Sequence, residues 1–357
     1  MKTIFFLCSI FFYFFISHLA LATSFSHNDW LVDCDNTLTC RAVGYSPVAS
    51  TYNENQVNVA VLFTRKAGDH QVELAKVKLE LDSDGDRELK TPNITLFING
   101  KKYGGVRTDL KTSDMELSRF QTDALIKALL KTSTIFFKDK TSGFMGNLSD
   151  NGATAVFFKM DDIQGRLYTD TAIVRKGKRS HRQLKKSKPI PVIQRAKTLP
   201  LSEDEKRYFL LYSDEVVKEI KKGLKKIDDE YECNDIIESG KLNLVDRLSK
   251  HKLLVSSSCW MAAYNAGSGY WIINESPPYT PILVTTSAND YSNGLIDEAQ
   301  KGRGVGDCWS YESFIWNGKS FVLSRRGDTG MCRGFAGGAW ELPSYVSKVT
   351  KQRNHKN

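Results

Sequence analysis

Asp161 and Asp162 close a helical pattern of apolar residues, Ala153, Ala155, Val156, Phe157, Met160 and Ile163, which Gly165 stops. A carboxylate at that end opposes the helix dipole by roughly 0.3–1 kcal/mol, so each charge needs a partner to offset it. Pairing with Arg166 or with nearby amides locks the helix into its domain. An open cleft instead leaves the two as acid and base of an enzyme. Histidine does not strengthen the enzymatic reading. Hydrolysis through Ser or Cys usually borrows a His to carry the proton. Here His27, His70, His181, His251 and His355 fall in turn-like, linker or terminal stretches, and neither His-Glu-x-x-His nor Gly-x-Ser-x-Gly occurs.

Five of the six tryptophans, Trp260, Trp271, Trp309, Trp316 and Trp340, lie between Cys259 and Pro343 together with Cys308 and Cys332. Rings of that size bury roughly 150–250 Å² each, and half-cystines fix loops that an apolar core leaves loose. The segment therefore reads as the centre of a compact, disulfide-stapled domain. Its rings permit two placements. Either they are core packed against the disulfides, or Trp271, Trp309 and Trp316, with Tyr264, Tyr270, Tyr279, Tyr311, Arg303 and Arg333, build a partly exposed aromatic and cationic face. On the second placement the binding residues are Tyr264, Trp271, Arg303, Trp309, Trp316 and Arg333, and the ligand is a protein or a glycan.

The compartment follows from the N-terminus and the cysteines. Lys2, the apolar run 4–16 and Ala20-Leu21-Ala22 have the order of a cleaved secretory signal peptide, which puts the mature start at Thr23. No later stretch approaches the roughly 20 apolar residues of a membrane span. Cys8 leaves with the leader. The other six cysteines are an even number in an exported chain, with no Cys-x-x-Cys and no His at ligand spacing, so they read as disulfides rather than metal ligands or reactive thiols. Many pairings are formally possible. The domain split favours Cys34 with Cys40, Cys233 with Cys259, and Cys308 with Cys332. No cofactor and no metal is expected.

The formal net charge is +9, and Lys2 carries one unit of it. The remainder equals one cluster: Arg175, Lys176, Lys178, Arg179, Arg182, Lys185, Lys186 and Lys188, with no acid among them. Such a run suits contact with an anionic surface, while export and the lack of interleaved aromatics argue against nucleic acid. A solvated, disordered linker is the plainer reading. Asp82-Ser83-Asp84-Gly85-Asp86 reads as a turn, because a calcium loop needs Gly at the sixth position and Arg87 stands there. Gly302-Arg303-Gly304-Val305-Gly306 has no helix after it, as a nucleotide-binding loop requires, and reads as a flexible connection.

Several elements must position these groups. Apolar alternation predicts strands at 30–34 and 39–43 around Asp35-Asn36, at 57–64 and 72–81, and at 94–98 and 102–106 around Asn99-Gly100. Phe120, Ala124, Leu125, Ala128 and Leu129 then recur at helical spacing behind Ser118. A strand at 134–137, the helix over 149–163 and a strand at 167–174 complete this half. Beyond Pro200, Ser202 caps an acidic helix start, and an amphipathic helix is expected over 214–229. Strands follow at 253–256, 270–273, 282–286, 313–316 and 320–323, the last two around Asn317-Gly318.

Certain motifs are family-like: Trp30, Val32, Cys34, Asp35 and Asn36; Asp161-Asp162-Ile163-Gln164-Gly165-Arg166; and Cys259 with Tyr264 and Asn265. Others are Gly306-Asp307-Cys308, Trp316 with Gly318, Cys332-Arg333-Gly334, and Gly337-Gly338 with Trp340 and Pro343. Together they resemble the bacterial family known as domain of unknown function 1176 over almost the whole mature chain. Members of that family look like exported Gram-negative proteins, so the resemblance implies the periplasm and assigns no chemistry. The basic insert at about 175–197 is larger than the family's usual connection.

The expected fold class is α+β: two domains, each mainly antiparallel sheet with a few helices, stapled by disulfides. The divisions are a signal peptide (1–22), an N-terminal domain (23–174), a basic Pro-containing linker (175–201), a Cys- and Trp-rich domain (202–346) and a basic tail (347–357). The expected function is a non-enzymatic binding or inhibitor-like protein acting on an envelope protein or glycan. The alternative is an envelope hydrolase using Asp161 and Asp162.

Overall fold

The computed structural model describes residues 23–48, 56–68, 71–80, 93–108, 115–180, 182, 184–227 and 230–351. The expected leader with Cys8, the acidic turn at 82–86, and His70, His181 and His355 lie outside them. The fold is α+β and mostly antiparallel sheet, with disulfides joining Cys34 to Cys40, Cys233 to Cys259 and Cys308 to Cys332.

In the first half, a seven-stranded sheet is centred on Trp30–Cys34, Cys40–Tyr45 and Asn58–Arg65. Every residue of Trp30–Cys34 is buried, because both faces of this strand are covered. Helix α2 (Ala153–Ile163) covers one face, where Trp30 meets Phe63 and Phe157. Phe335, Ala339 and Leu342 cover the other, against Leu31, Val43 and Tyr45. Gly44 is required beneath the Trp30 ring, since a Cβ there would come within 2.1 Å of it. A four-stranded sheet of Met145–Leu148, Ile135–Asp139, Ile94–Ile98 and Lys101–Gly105 completes this half, with the expected turn at Asn99-Gly100.

Helix α1 (Arg119–Leu129) begins where the sequence indicates. Ser118 and Gln121 cap each other reciprocally, while Phe120 turns out to solvent and stacks on Tyr103. Helix α2 starts at Ala153 rather than 149, because Ser149 still donates its amide to Tyr45 in the sheet. The strand expected at 167–174 is absent. Its donors go elsewhere: Ile173 and Val174 give their amides to the Asp161 carboxylate, and Tyr168 bonds Arg175.

The basic segment after 174 differs from a disordered linker. Its charged side chains face solvent, but its backbone is fastened. Gly177 bonds Thr169, Lys185 bonds both Gln164 and Gly68, Lys188 bonds Thr37, and Val192–Arg195 pairs in parallel with Lys348–Lys351 of the expected tail.

The second half carries helices α3 (Glu203–Phe209), α4 (Ser213–Gly223) and α5 (Asn234–Ser239). α4 ends at Gly223, short of the expected 229, having buried Val216, Val217 and Ile220. Two sheets follow. One joins Asn243–Ser249, Lys252–Met261, Ala266–Asn274 and Ile282–Ala288; the other joins Asp290–Ser292, Leu295–Lys301, Trp309–Trp316, Phe321–Asp328 and Leu342–Val346. The buried residues of one apolar cluster run from Trp30 to Ile173 and those of two others lie from Phe209 onward, while the cluster around Tyr45 and Phe335 spans both halves.

Candidate functional site

Asp161, at the end of α2, is fully buried. One carboxylate oxygen accepts from Arg65 at 2.7 Å, and the other accepts the Ile173 and Val174 amides at 2.7 and 3.0 Å. Gln164 completes the lock: its oxygen accepts from Arg65 at 2.7 Å and from Arg166 at 3.2 Å, while its nitrogen donates to the Leu38 and Arg65 carbonyls. The offset for the unfavourable helix-end charge is therefore a buried guanidinium and two amides. Asp162 points outward and pairs with Lys159. The two acids do not face a common space, which removes the geometry an acid–base pair needs. Arg65, the partner that matters most, carried no signal in the sequence because it is distant along the chain.

The six aromatic and cationic candidates divide. Trp271 and Trp316 are core: Trp271 packs in the cluster containing Cys233 and Cys259, and Trp316 packs against Phe321. The partly exposed face expected of them is corrected, since the inward positions of their strands place both rings between packed layers. Arg333 bonds Asp29 at 2.9 Å and the Ser46 carbonyl at 3.3 Å, bracing one half against the other.

Tyr264, Arg303 and Trp309 come together at one end of the second half. Tyr264 is at the tip of the hairpin joining Lys252–Met261 to Ala266–Asn274, and Arg303 is in the connection from Leu295–Lys301 to Trp309–Trp316. Asn265 fastens the two, donating to the Lys301 carbonyl and accepting the Lys301 amide, both at 2.9 Å. The Gly-rich connection is braced rather than flexible. Arg303 grips the buried Asp307 carboxylate with two nitrogens, and the Gly334 amide donates to the same carboxylate at 2.6 Å. Burial works against ionisation of Asp307, yet the Arg303 guanidinium and the Gly334 amide hold its pKa below the usual range. Trp309 donates to the Gly306 carbonyl at 2.9 Å, with the Lys301 ammonium 5.4 Å above its ring. A Cβ at Gly302 would approach Cys308 Sγ to 2.6 Å, so only glycine lets the chain pass the Cys308–Cys332 bridge.

This frame presents Met261, Tyr264, Val305 and Arg303 outward, with relative exposures of 81%, 47%, 59% and 51%. Met261 and Val305 were missed in the sequence, where an apolar residue next to Trp260 or among glycines gives no sign of its direction. Asp307, Cys308 and Cys332 cluster closely enough to suggest a metal site, but the two sulfurs are joined to each other and the carboxylate is committed to Arg303.

Where the halves meet, Asn36 bonds both backbone groups of Val346, and the Met331 amide donates to Tyr45 Oη at 3.1 Å. Two acids face each other across this junction. Burial first, and the Asp328 charge second, push the Asp33 pKa up to about 6; burial raises Asp328 as well, although it accepts the Gly330 amide.

The sequence matches the family described as Protein of unknown function (DUF1176) across residues 24–347. No curated protein and no solved structure matches the chain.

Proposed function

The chain belongs to that DUF1176 family, and from this premise we propose that it is an exported, periplasmic binding protein that carries out no catalysis itself. Its ligand is an envelope protein that docks on the end formed by the hairpin tip and the Gly-rich connection. One observation carries the reading. Met261, Tyr264, Val305 and Arg303 are held outward on a frame fixed by Asn265, Asp307 and a disulfide. Exposed apolar groups on a rigid support lose little conformational freedom on binding. The apolar Met261 and Val305 beside Tyr264 favour a protein over a sugar. Three disulfides support an oxidising compartment. The hydrolase alternative finds no support in Asp161, whose carboxylate is fully engaged.

Immobilised protein incubated with periplasmic extract, with Val305→Asp and Tyr264→Ala variants in parallel, tests the proposal. The expected result is a partner retained at high salt and lost from Val305→Asp. Elution of the bound species by soluble envelope glycan would replace the protein ligand with a sugar. Equal retention by wild type and both variants would refute the site.

A further inference from the structure

A second feature, remote in sequence from the hairpin tip, is a cleft of about 510 Å³ between α1 and the segment that follows α2. Arg119 and Lys127 line it from α1, Lys176 lines it from the opposite wall, and Arg65 and Arg166 form its floor. Against these five cations stand two carboxylates, Asp123 and Asp170. Asp123 is spoken for by Arg119, 3.6 Å away. Lys127 and Lys176 have no carboxylate partner among the described residues. The floor is more telling. Arg65 is 1% exposed and donates through Nε to Gln164 and through one terminal nitrogen to Asp161. Burial disfavours its charge by more than Asp161 restores, and its pKa is lowered. Asp161 is the counter-charge of Arg65, so the charge left over in the cleft is that of two ammonium groups, Lys127 and Lys176, beside a buried guanidinium.

We propose that this cleft binds the phosphoryl group of a headgroup-sized ligand, with Lys127 and Lys176 closing on its oxygens above the Arg65 guanidinium. Guanidinium and ammonium donors match phosphate oxygens in charge and geometry. The volume is in the range of small-ligand sites, with room for a substituent as well as the phosphate. Lys178 and Arg179, exposed and just past Lys176 along the chain, extend the basic run, which suits a phosphate that belongs to a larger anionic array. The same chemistry is offered by a free phosphate monoester and by an anionic phospholipid headgroup.

The two sources separate in one experiment on the mature protein. Glycerol phosphate is titrated calorimetrically, and vesicles of phosphatidylglycerol or phosphatidylcholine are co-sedimented. Both are done for wild type, for Lys127→Gln/Lys176→Gln, and for Lys185→Gln/Lys186→Gln outside the cleft. Loss of two charge-assisted contacts predicts at least about tenfold weaker binding by the cleft pair and a smaller change in the outer pair. Saturable binding of glycerol phosphate with that pattern supports a soluble ligand. Binding only to phosphatidylglycerol vesicles with the same pattern supports a lipid headgroup. Absence of both, or equal weakening by the two double variants, overturns the cleft.

Discussion

Asp33→Asn isolates the charge stored between the two halves. Asp33 is buried, its register partners are Ser24 on one side and Arg41 on the other, and Asp328 opposes it electrostatically. Its pKa moves from 3.8 to about 6 on folding, an upward change of about two units, or about 3 kcal/mol. An acid whose folded pKa is raised holds its proton longer in the folded state. The folded state is therefore favoured most below pH 3.8, and that advantage is lost as pH rises through about 6. Asparagine keeps the shape and cannot ionise. Urea unfolding of both proteins should show the variant gaining on wild type by about 2 kcal/mol between roughly pH 4.5 and pH 7.5. The difference between the two proteins cancels groups of opposite sign elsewhere, such as Glu205, whose pKa is lowered to about 2 by the amide and hydroxyl of Ser202. A stability difference that is the same at both pH values would refute the buried charge pair.

Asp161→Ala should cost about 3–5 kcal/mol in the same assay, because it strands Arg65 as an unpaired buried cation. Asp162→Ala, which loses only a surface pair with Lys159, should cost less than about 1 kcal/mol; equal costs would refute the division of labour between the two acids. Replacing Cys308 and Cys332 together by Ser opens a bridge of sequence separation 24 and should remove about 3 kcal/mol. The same change should speed proteolytic cutting within 302–306, and an unchanged cutting rate would show that Asp307 alone braces the connection.

Local chemistry was legible in the sequence where the deciding partners are near along the chain. The Ser118 cap, the Asn99-Gly100 and Asn317-Gly318 turns and all three disulfides could be read there, since each depends on short spacing or on parity of cysteines within a half. Tertiary structure decided direction and long-range pairing. Side-chain type says that Trp271, Trp309 and Trp316 will bury area, but only the packing of the layers puts Trp271 and Trp316 inside and leaves Trp309 at the edge. Likewise 167–174 looks like a strand because its residues suit one. It is not a strand because the carboxylate of Asp161 takes the amides of Ile173 and Val174 that a ladder would use. Arg65 reaches that carboxylate across 96 residues, a distance over which residue order alone carries no information about contact.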